Sequence, residues 1–293
     1  MGEGRSGSTV HVAVAELGRV YGGVPLGPGE QAARAQRWGW WYFAEHMVRQ
    51  LRTYITSVLF YDLGQIFLYL IAMGLALGSL VDANTESVDG VSYLVFVAPA
   101  LVVSSAVTTA AGEMTYPIME GFKWRRTYYG PAAAPLTGGQ IAFGHHLTAM
   151  VRYAAQSVFA LGLLALFGAL HSPHAWLLVP IATLTGIAFG APLQAFAATL
   201  KDEGFAFSAI QRFVVMPMFL FAGTFFPLTN MPGYLQWIGW ISPIWHGTEL
   251  SRAATYGHVV EPWRMAVHLV VLTTLAVLGL VLARRIYVRR LSE

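Results

Sequence analysis

The sequence predicts an all-α membrane protein of six transmembrane helices, with both termini in the cytosol. An amphipathic helix in the membrane interface precedes the first span, and a re-entrant helical hairpin separates spans five and six. Three observations lead to that fold class. Charged residues are 11% of the chain, against roughly 25% in a soluble globular protein, so a water-facing surface cannot be built. Hydrophobic residues are 56%, and they gather in runs of the ~20 residues that a helix needs to cross about 30 Å of hydrocarbon. Lysine and arginine fall on alternate connections between those runs. A soluble enzyme, a coiled coil and a disordered chain are thereby excluded, and an outer-membrane barrel would alternate in segments of about 10 residues instead. With no cysteine, disulfides, thiolate chemistry and cysteine-ligated zinc or iron–sulfur sites are excluded too.

Taken in order, residues 1–37 read as a cytosolic tail, rich in Gly, Ala and Arg, with Pro25 and Pro28 and without the apolar segment of a signal peptide. Residues 38–57 follow as the interfacial helix. At about 100° per residue, Trp40, Ala44, Met47, Leu51 and Ile55 share one face, and Glu45, Arg49, Arg52 and Thr56 the other. With Trp38 at its start and arginines on its polar side, such a helix lies on the membrane surface. It is either a plain anchor or a lever attached to something cytosolic. Residues 58–285 hold the spans, near Val58–Val81, Tyr93–Thr115, Leu147–Leu170, Trp176–Thr199, Phe207–Leu228 and Arg264–Ala283. Residues 286–293 are a cytosolic tail.

Orientation follows from the basic residues. The N-terminal stretch carries Arg34, Arg37, Arg49 and Arg52, the second connection Lys123, Arg125 and Arg126, the fourth Lys201, and the C-terminal end Arg284, Arg285, Arg289 and Arg290. The first and third connections have no lysine or arginine, and the stretch after span five shows only Arg252 and Arg264.

Leu136-Thr137-Gly138-Gly139-Gln140 is close to the LSGGQ signature of ATP-binding-cassette ATPases. A phosphate loop also needs a lysine directly after glycine, and Lys123 and Lys201 follow Phe122 and Leu200. The pentapeptide is a chance match, and the chain has no nucleotide cradle of that kind. Metal ligation by His171 and His174, or by His145 and His146, finds no supporting carboxylates or shared helix face. No spacing suggests a catalytic nucleophile, and the dispersed basic residues offer no nucleic-acid platform.

Charges inside spans are costly and mark functional candidates. Asp62, Glu113 and Arg152 fall at similar depth near the cytosolic ends of spans one to three, either as a structural pair of Arg152 with one carboxylate or as a polar rim for a substrate head group. Pro99, Pro180, Pro192 and Pro217 interrupt helices inside spans. After span five, Pro227, Pro232 and Pro243 break a further hydrophobic run, Tyr234–Ile241, which at about eight residues is too short to cross. Trp237, Trp240 and Trp245 are interfacial residues. A pair of short helices dipping into the outer leaflet accounts for this stretch, with Glu249 and Arg252 one turn apart on the second.

Phe226-Pro227-Leu228, Pro232, Pro243-Ile244 and Glu249 with Arg252, in that order, resemble the signature of ATP-binding-cassette exporter permeases of the second type. Gly90–Ser105, Trp124-Arg125-Arg126-Thr127, Ala134-Pro135-Leu136-Thr137 and Pro217–Phe221 are similar to the nodulation-factor (NodJ-type) permeases of that family. The similarity runs from about Leu51 to Gly257, and the long N-terminal tail departs from the shorter family start.

That resemblance implies a transporter subunit in the inner (plasma) membrane rather than an enzyme. It works as a homodimer with two separate cytosolic ATPase subunits, which bind the ATP and Mg; this chain holds no cofactor. The interfacial helix, with Trp38, Glu45, Arg49 and Arg52, and the loop Met119–Gln140 receive the ATPase's motion, and Glu120, Lys123, Trp124, Arg125 and Arg126 are the docking candidates. Spans one and five frame the path, with Phe60, Tyr69, Phe213, Phe219 and Phe221 as candidate lining residues. The implied cargo is an amphipathic glycolipid or lipo-oligosaccharide. The alternative is a multidrug or antibiotic exporter of the same family. A lipid-modifying enzyme lacks catalytic groups here, and a secondary transporter would show broken helices in both halves.

Overall fold

The computed structural model describes residues 27–51, 60, 64–85, 87–202 and 204–292. Arg52, Asp62 and most of the predicted start of span one lie outside the described residues. Among the described residues the architecture is helical, and extended backbone pairs only at a single bridge, Val88 to Val91.

Helix α1 is Pro28–Leu51. It begins at Pro28 rather than Trp38, so the end of the expected tail is helical. Glu30 in the first turn favours the positive helix end, and Ala32, Ala33 and Ala35 are strong helix formers. Helix α2, Gly64–Asn84, is the described part of the first span and is wound as a π-helix over Leu70–Leu77. Helix α3, Tyr93–Glu113, continues after a break into α4, Tyr116–Met119, and one π turn, Glu120–Trp124. Helix α5, Tyr129–Ala133, is a single turn. Helix α6, Gly138–Leu166, starts well before the predicted third span, because Thr137 and Gln140 form a capping box. The LTGGQ stretch is thus a helix start, and a Cβ on Gly138 would lie 2.8 Å from the Tyr287 carbonyl oxygen.

Helix α7 is Ala175–Thr199, and α8 is Ala206–Phe221. The sequence places a full span at Phe207–Leu228, but α8 is only about 24 Å long at ~1.5 Å per residue. It stops at Phe221 because Gly223 turns into the left-handed region at φ 79°. Its π turn, Gln211–Val215, precedes Pro217 and accommodates the hydrogen bond that proline cannot make. Two short helices follow, α9 (Gly233–Ile241) and α10 (Pro243–Tyr256), and then α11, Pro262–Ser292. Among the described residues, five helices are long and apolar enough to cross a membrane: α2, α3 with its continuation, α6, α7 and α11.

Helix α3 is the axis of the bundle, with 83% of its apolar stretch buried, against 22% for α2 and for α11. Glycine sets the closest approaches. A Cβ on Gly247 of α10 would lie 2.3 Å from Thr185 Oγ1 and 2.8 Å from Val103 Cγ1, so α10 is pressed between α7 and α3. A Cβ on Gly279 of α11 would meet Pro192 N of α7 at 2.4 Å. Small residues let membrane helices pack this closely. Gly279→Leu is expected to lower stability by about 1–3 kcal/mol through overpacking, read as the melting temperature of the detergent-solubilised protein. Val277→Leu, at an exposed position, should leave the melt unchanged. Equal melts for both variants would contradict the close contact.

Candidate functional site

The end of the bundle that carries the loop between α3 and α6 is built around one aromatic junction. Phe122 of the π turn lies 4.9 Å from the ring of Tyr128 and 4.8 Å from that of Tyr287 on α11, edge-on to both. Phe43 of α1 reaches Tyr128 from another side at 6.1 Å. A Cβ on Gly121 would lie 2.2 Å from the Tyr128 ring, so the turn closes directly over it. The Tyr287 hydroxyl donates to the Tyr128 hydroxyl (3.4 Å), which donates to His145 Nδ1 (2.9 Å), and His145 Nε2–H donates to the Glu113 carbonyl (3.4 Å). A carbonyl only accepts, so this tautomer follows from the partners. Helices α1, α3, α6 and α11 thus meet at one packed point beneath the loop.

Above the junction stand the predicted docking residues. Trp124 is exposed and stacks on Tyr116 with centroids 6.2 Å apart. Arg126 is exposed at φ 53°, with its guanidinium 5.9 Å from the Tyr129 ring. Arg125 pairs with Glu120 at 2.9 Å, and Lys123 pairs with Asp202 of the connection between α7 and α8. The hydrogen bond and charge of Lys123 hold the exposed Asp202 carboxyl below its usual range. Helix α1 lies on α6: Gln140 Nε2 donates to the Gln36 carbonyl at 2.7 Å, and Trp40 packs edge-on against Phe143. The buried face of α1 is Gly39, Phe43 and Ala44, while Trp38 is exposed and Glu45 pairs with Arg49 at 2.5 Å.

Glu113 and Arg152 form an ion pair, each side chain under one fifth exposed. The pair lies one carbonyl from the hydroxyl chain just described. Asp62, the other carboxylate considered for this pair, lies outside the described residues.

The five path candidates do not gather in one place. Tyr69 of α2 and Phe219 of α8 meet edge-on at 5.6 Å, beside a cleft of about 90 Å³ that also receives Gln65, Ser105, Thr108 and Gln211. Phe60 lies instead in an apolar groove with Phe67, Phe159 and Leu166. Phe213 is exposed and Phe221 half-buried.

At the opposite end Arg252 is 2% exposed. Its Nη2 donates to the Gly223 carbonyl at 2.8 Å and its Nε to the Phe96 carbonyl at 3.3 Å, while Nη1 meets Glu249 at 3.5 Å. The guanidinium carbon lies 3.6 Å from the centre of the Phe96 ring. Arg252 therefore ties the broken end of α8 to α3. Pro227 precedes a short turn, Leu228–Asn230, and Pro232 and Pro243 stand at the starts of α9 and α10.

Three residues that carry no sequence signal of their own complete this end: Asp89, Tyr256 and His258. Tyr256 donates to Asp89 Oδ2 at 2.7 Å, and His258 bridges Asp89 (2.6 Å) and Glu249 (3.5 Å). No residue spacing announces this cluster, because Asp89 and His258 come from loops far apart in the chain. The hydrogen bond to Glu249, aided by the Asp89 and Glu249 charges, raises the His258 pKa above 6.5 against burial and the Arg252 charge. A raised value means that the bridge stabilises fully below the ordinary imidazole pKa and is lost as pH climbs through the raised one. Melting temperature is therefore expected to step down on the alkaline side of pH 6.5, and His258→Asn should remove that step. A step unchanged in the variant would refute the bridge.

Comparison with known proteins assigns the family. Residues 43–256 match the ABC-2 type transporter family. The chain belongs to that family. It is 28% identical over 227 residues to nodulation protein J of Rhizobium leguminosarum bv. viciae, covering 77% of this chain and 85% of that protein. It is 29% identical over 233 residues to nodulation protein J of Neorhizobium galegae, covering 79% and 86%. It is also 26% identical over 171 residues to the inner membrane transport permease YadH of Escherichia coli K12, covering 57% and 64%. This ABC-2 chain is a multi-pass membrane permease, a transporter component rather than an enzyme, of a family that works with a cytosolic ATPase. The family match begins at Phe43, the α1 residue that enters the aromatic junction.

Proposed function

We propose that this chain is the membrane half of an inner-membrane exporter in which two copies pair with two cytosolic ATPase subunits. Its cargo is an amphipathic glycolipid or lipo-oligosaccharide, moved out of the cytoplasm or inner leaflet. The observation that carries this reading is the exposed Trp124 and Arg126 surface rooted in the Phe122–Tyr128–Tyr287 junction. A push there reaches α1, α3, α6 and α11 together, because packed aromatic rings transmit displacement rather than absorb it. Glu120, Lys123 and Arg125 fix the shape of that surface through their ion pairs.

In this reading the chain crosses six times, α8 with residues 222–228 making the fifth crossing, and both termini are cytosolic. Helices α9 and α10 dip into the outer leaflet and return. ATP and Mg act in the partner subunits, and the tighter binding of ATP to their closed state supplies the energy. The cleft among α2, α3 and α8 is the path, with Tyr69 and Phe219 at a constriction flanked by Gln65, Ser105, Thr108 and Gln211. Similarity to nodulation protein J favours the glycolipid class. Mass spectrometry of the molecule retained by the complex purified in nanodiscs tests the cargo. A lipid-linked sugar is expected, and a sugar-free hydrophobic drug as the retained species would overturn this class.

A further inference from the structure

We propose that the outward-facing cleft beside Arg252 is a saccharide-binding vestibule that holds the neutral sugar portion of a ligand; this rests on the exporter reading above. The cleft encloses about 730 Å³ between α9, α10 and the start of α11, within the range of roughly 300–1,000 Å³ typical of small-molecule pockets. Trp240, Trp245 and Trp263 line it, with Trp240 54% and Trp263 62% exposed. Indole rings this open present apolar faces on which the C–H side of a pyranose ring stacks, each with a polar edge at the water boundary.

The charges of the cleft are already engaged. Arg252 is committed to two backbone carbonyls and Glu249, and Arg264 Nε pairs with Glu261 at 3.1 Å. Asp89 and Glu249 are in turn held by His258. Each of these charges faces an opposite one inside the protein, so the cleft offers a phosphate, a carboxylate or an organic cation no unpaired charge, although the Arg264 Nη groups stay open to solvent.

What remains are neutral acceptors. His246 Nε2 donates to the Trp240 carbonyl at 3.0 Å, and the Nδ1 atoms of His246 and His268 lie 2.7 Å apart. With both rings neutral, His246 Nδ1 must accept, so His268 Nδ1–H donates and His268 Nε2 keeps its lone pair. That ring lines the cleft, is 3% exposed, and its Nε2 has no hydrogen-bond partner among the described residues. Gln236 is similar: its Nε2 donates to the Met231 carbonyl, so its Oε1 is a further acceptor. Acceptors that face a cleft take donors from whatever fills it, and a sugar hydroxyl supplies them beside a stacking face.

The test titrates the permease–ATPase complex in nanodiscs with neutral tetrasaccharides of glucose, N-acetylglucosamine and mannose, read by tryptophan fluorescence and calorimetry. Tetraphenylphosphonium and glucose 6-phosphate are the comparators. Saturable binding of at least one tetrasaccharide is expected. Trp263→Ala and His268→Leu should weaken it at least ten-fold, while His268→Gln, which keeps an acceptor, should recover most of it. Binding unchanged in Trp263→Ala, preference for the cation or the phosphate ester, or no saturable saccharide binding would overturn the vestibule. ATP-driven transport in the same preparations separates the two readings. Intact transport without saccharide binding sinks the vestibule alone, whereas saccharide binding by a permease that associates with no ATPase sinks the exporter alone. Competition by the purified glycolipid would assign the sugar to cargo, and its absence to a free saccharide outside the cell.

Discussion

Arg252→Ala is expected to cost about 3–5 kcal/mol, the penalty for breaking a buried charge pair by removing one partner. The side chain is 2% exposed and joins the Gly223 carbonyl, the Phe96 carbonyl, the Phe96 ring and Glu249. Removing it leaves the Gly223 and Phe96 carbonyls without that donor in the packed end of the bundle and leaves Glu249 with His258 alone. The damage is local before it is global. Gly223 is the left-handed turn that ends α8, so its lost tether frees the chain between α8 and α9. Arg252→Lys should be nearly as damaging, because an ammonium keeps the charge but lacks the fork that reaches both carbonyls. Gel-filtration profile and melting temperature of the detergent-solubilised protein measure this. A variant as monodisperse and as heat-resistant as the parent would show that Arg252 is not the tie.

Arg125→Glu with Arg126→Glu is expected to reduce ATP-driven transport at least ten-fold, equivalent to about 1.4 kcal/mol of coupling, while the bundle itself stays folded. Arg126 is exposed on a left-handed residue beside Trp124, so its reversal changes the contact surface and little else. Arg125 pairs with Glu120 at 2.9 Å, and its reversal also sets two carboxylates side by side at the start of the π turn. Single variants divide these effects. Arg126→Glu should carry most of the uncoupling, and Arg125→Glu should also loosen the loop. Tyr128→Phe probes the next link: it keeps the ring but removes the hydroxyl between Tyr287 and His145. Wild-type ratios of transport to ATP hydrolysis in the double variant would count against this surface.

How much of this was legible in the sequence depends on what each feature needs. Long apolar runs report the spans directly, and α3 and α7 match the expected spans nearly to the residue. The α8 helix falls short of its expected end because hydropathy does not register backbone handedness, and Gly223 and Pro227 end it inside an apolar stretch. The start of α1 was missed because Ala and Arg support a helix without an apolar face. Arg252 and Glu249 were legible from their spacing, whereas similar depth left Arg152 to pair with either Asp62 or Glu113, and the ion pair with Glu113 comes from the structure. Tyr128, Tyr287, His145, Asp89 and His258 were not. Each acts through a partner distant in sequence, and a single tyrosine or histidine carries no periodic signal.

The central claim is that force from a separate ATPase enters through the loop above Tyr128. Its most direct measurement reconstitutes the permease with a co-expressed ATPase subunit in proteoliposomes and follows glycolipid movement and ATP hydrolysis together. A stable complex is expected whose transport needs ATP and collapses in Arg126→Glu. A permease that associates with no ATPase, or one that moves its cargo equally well without ATP, would contradict it.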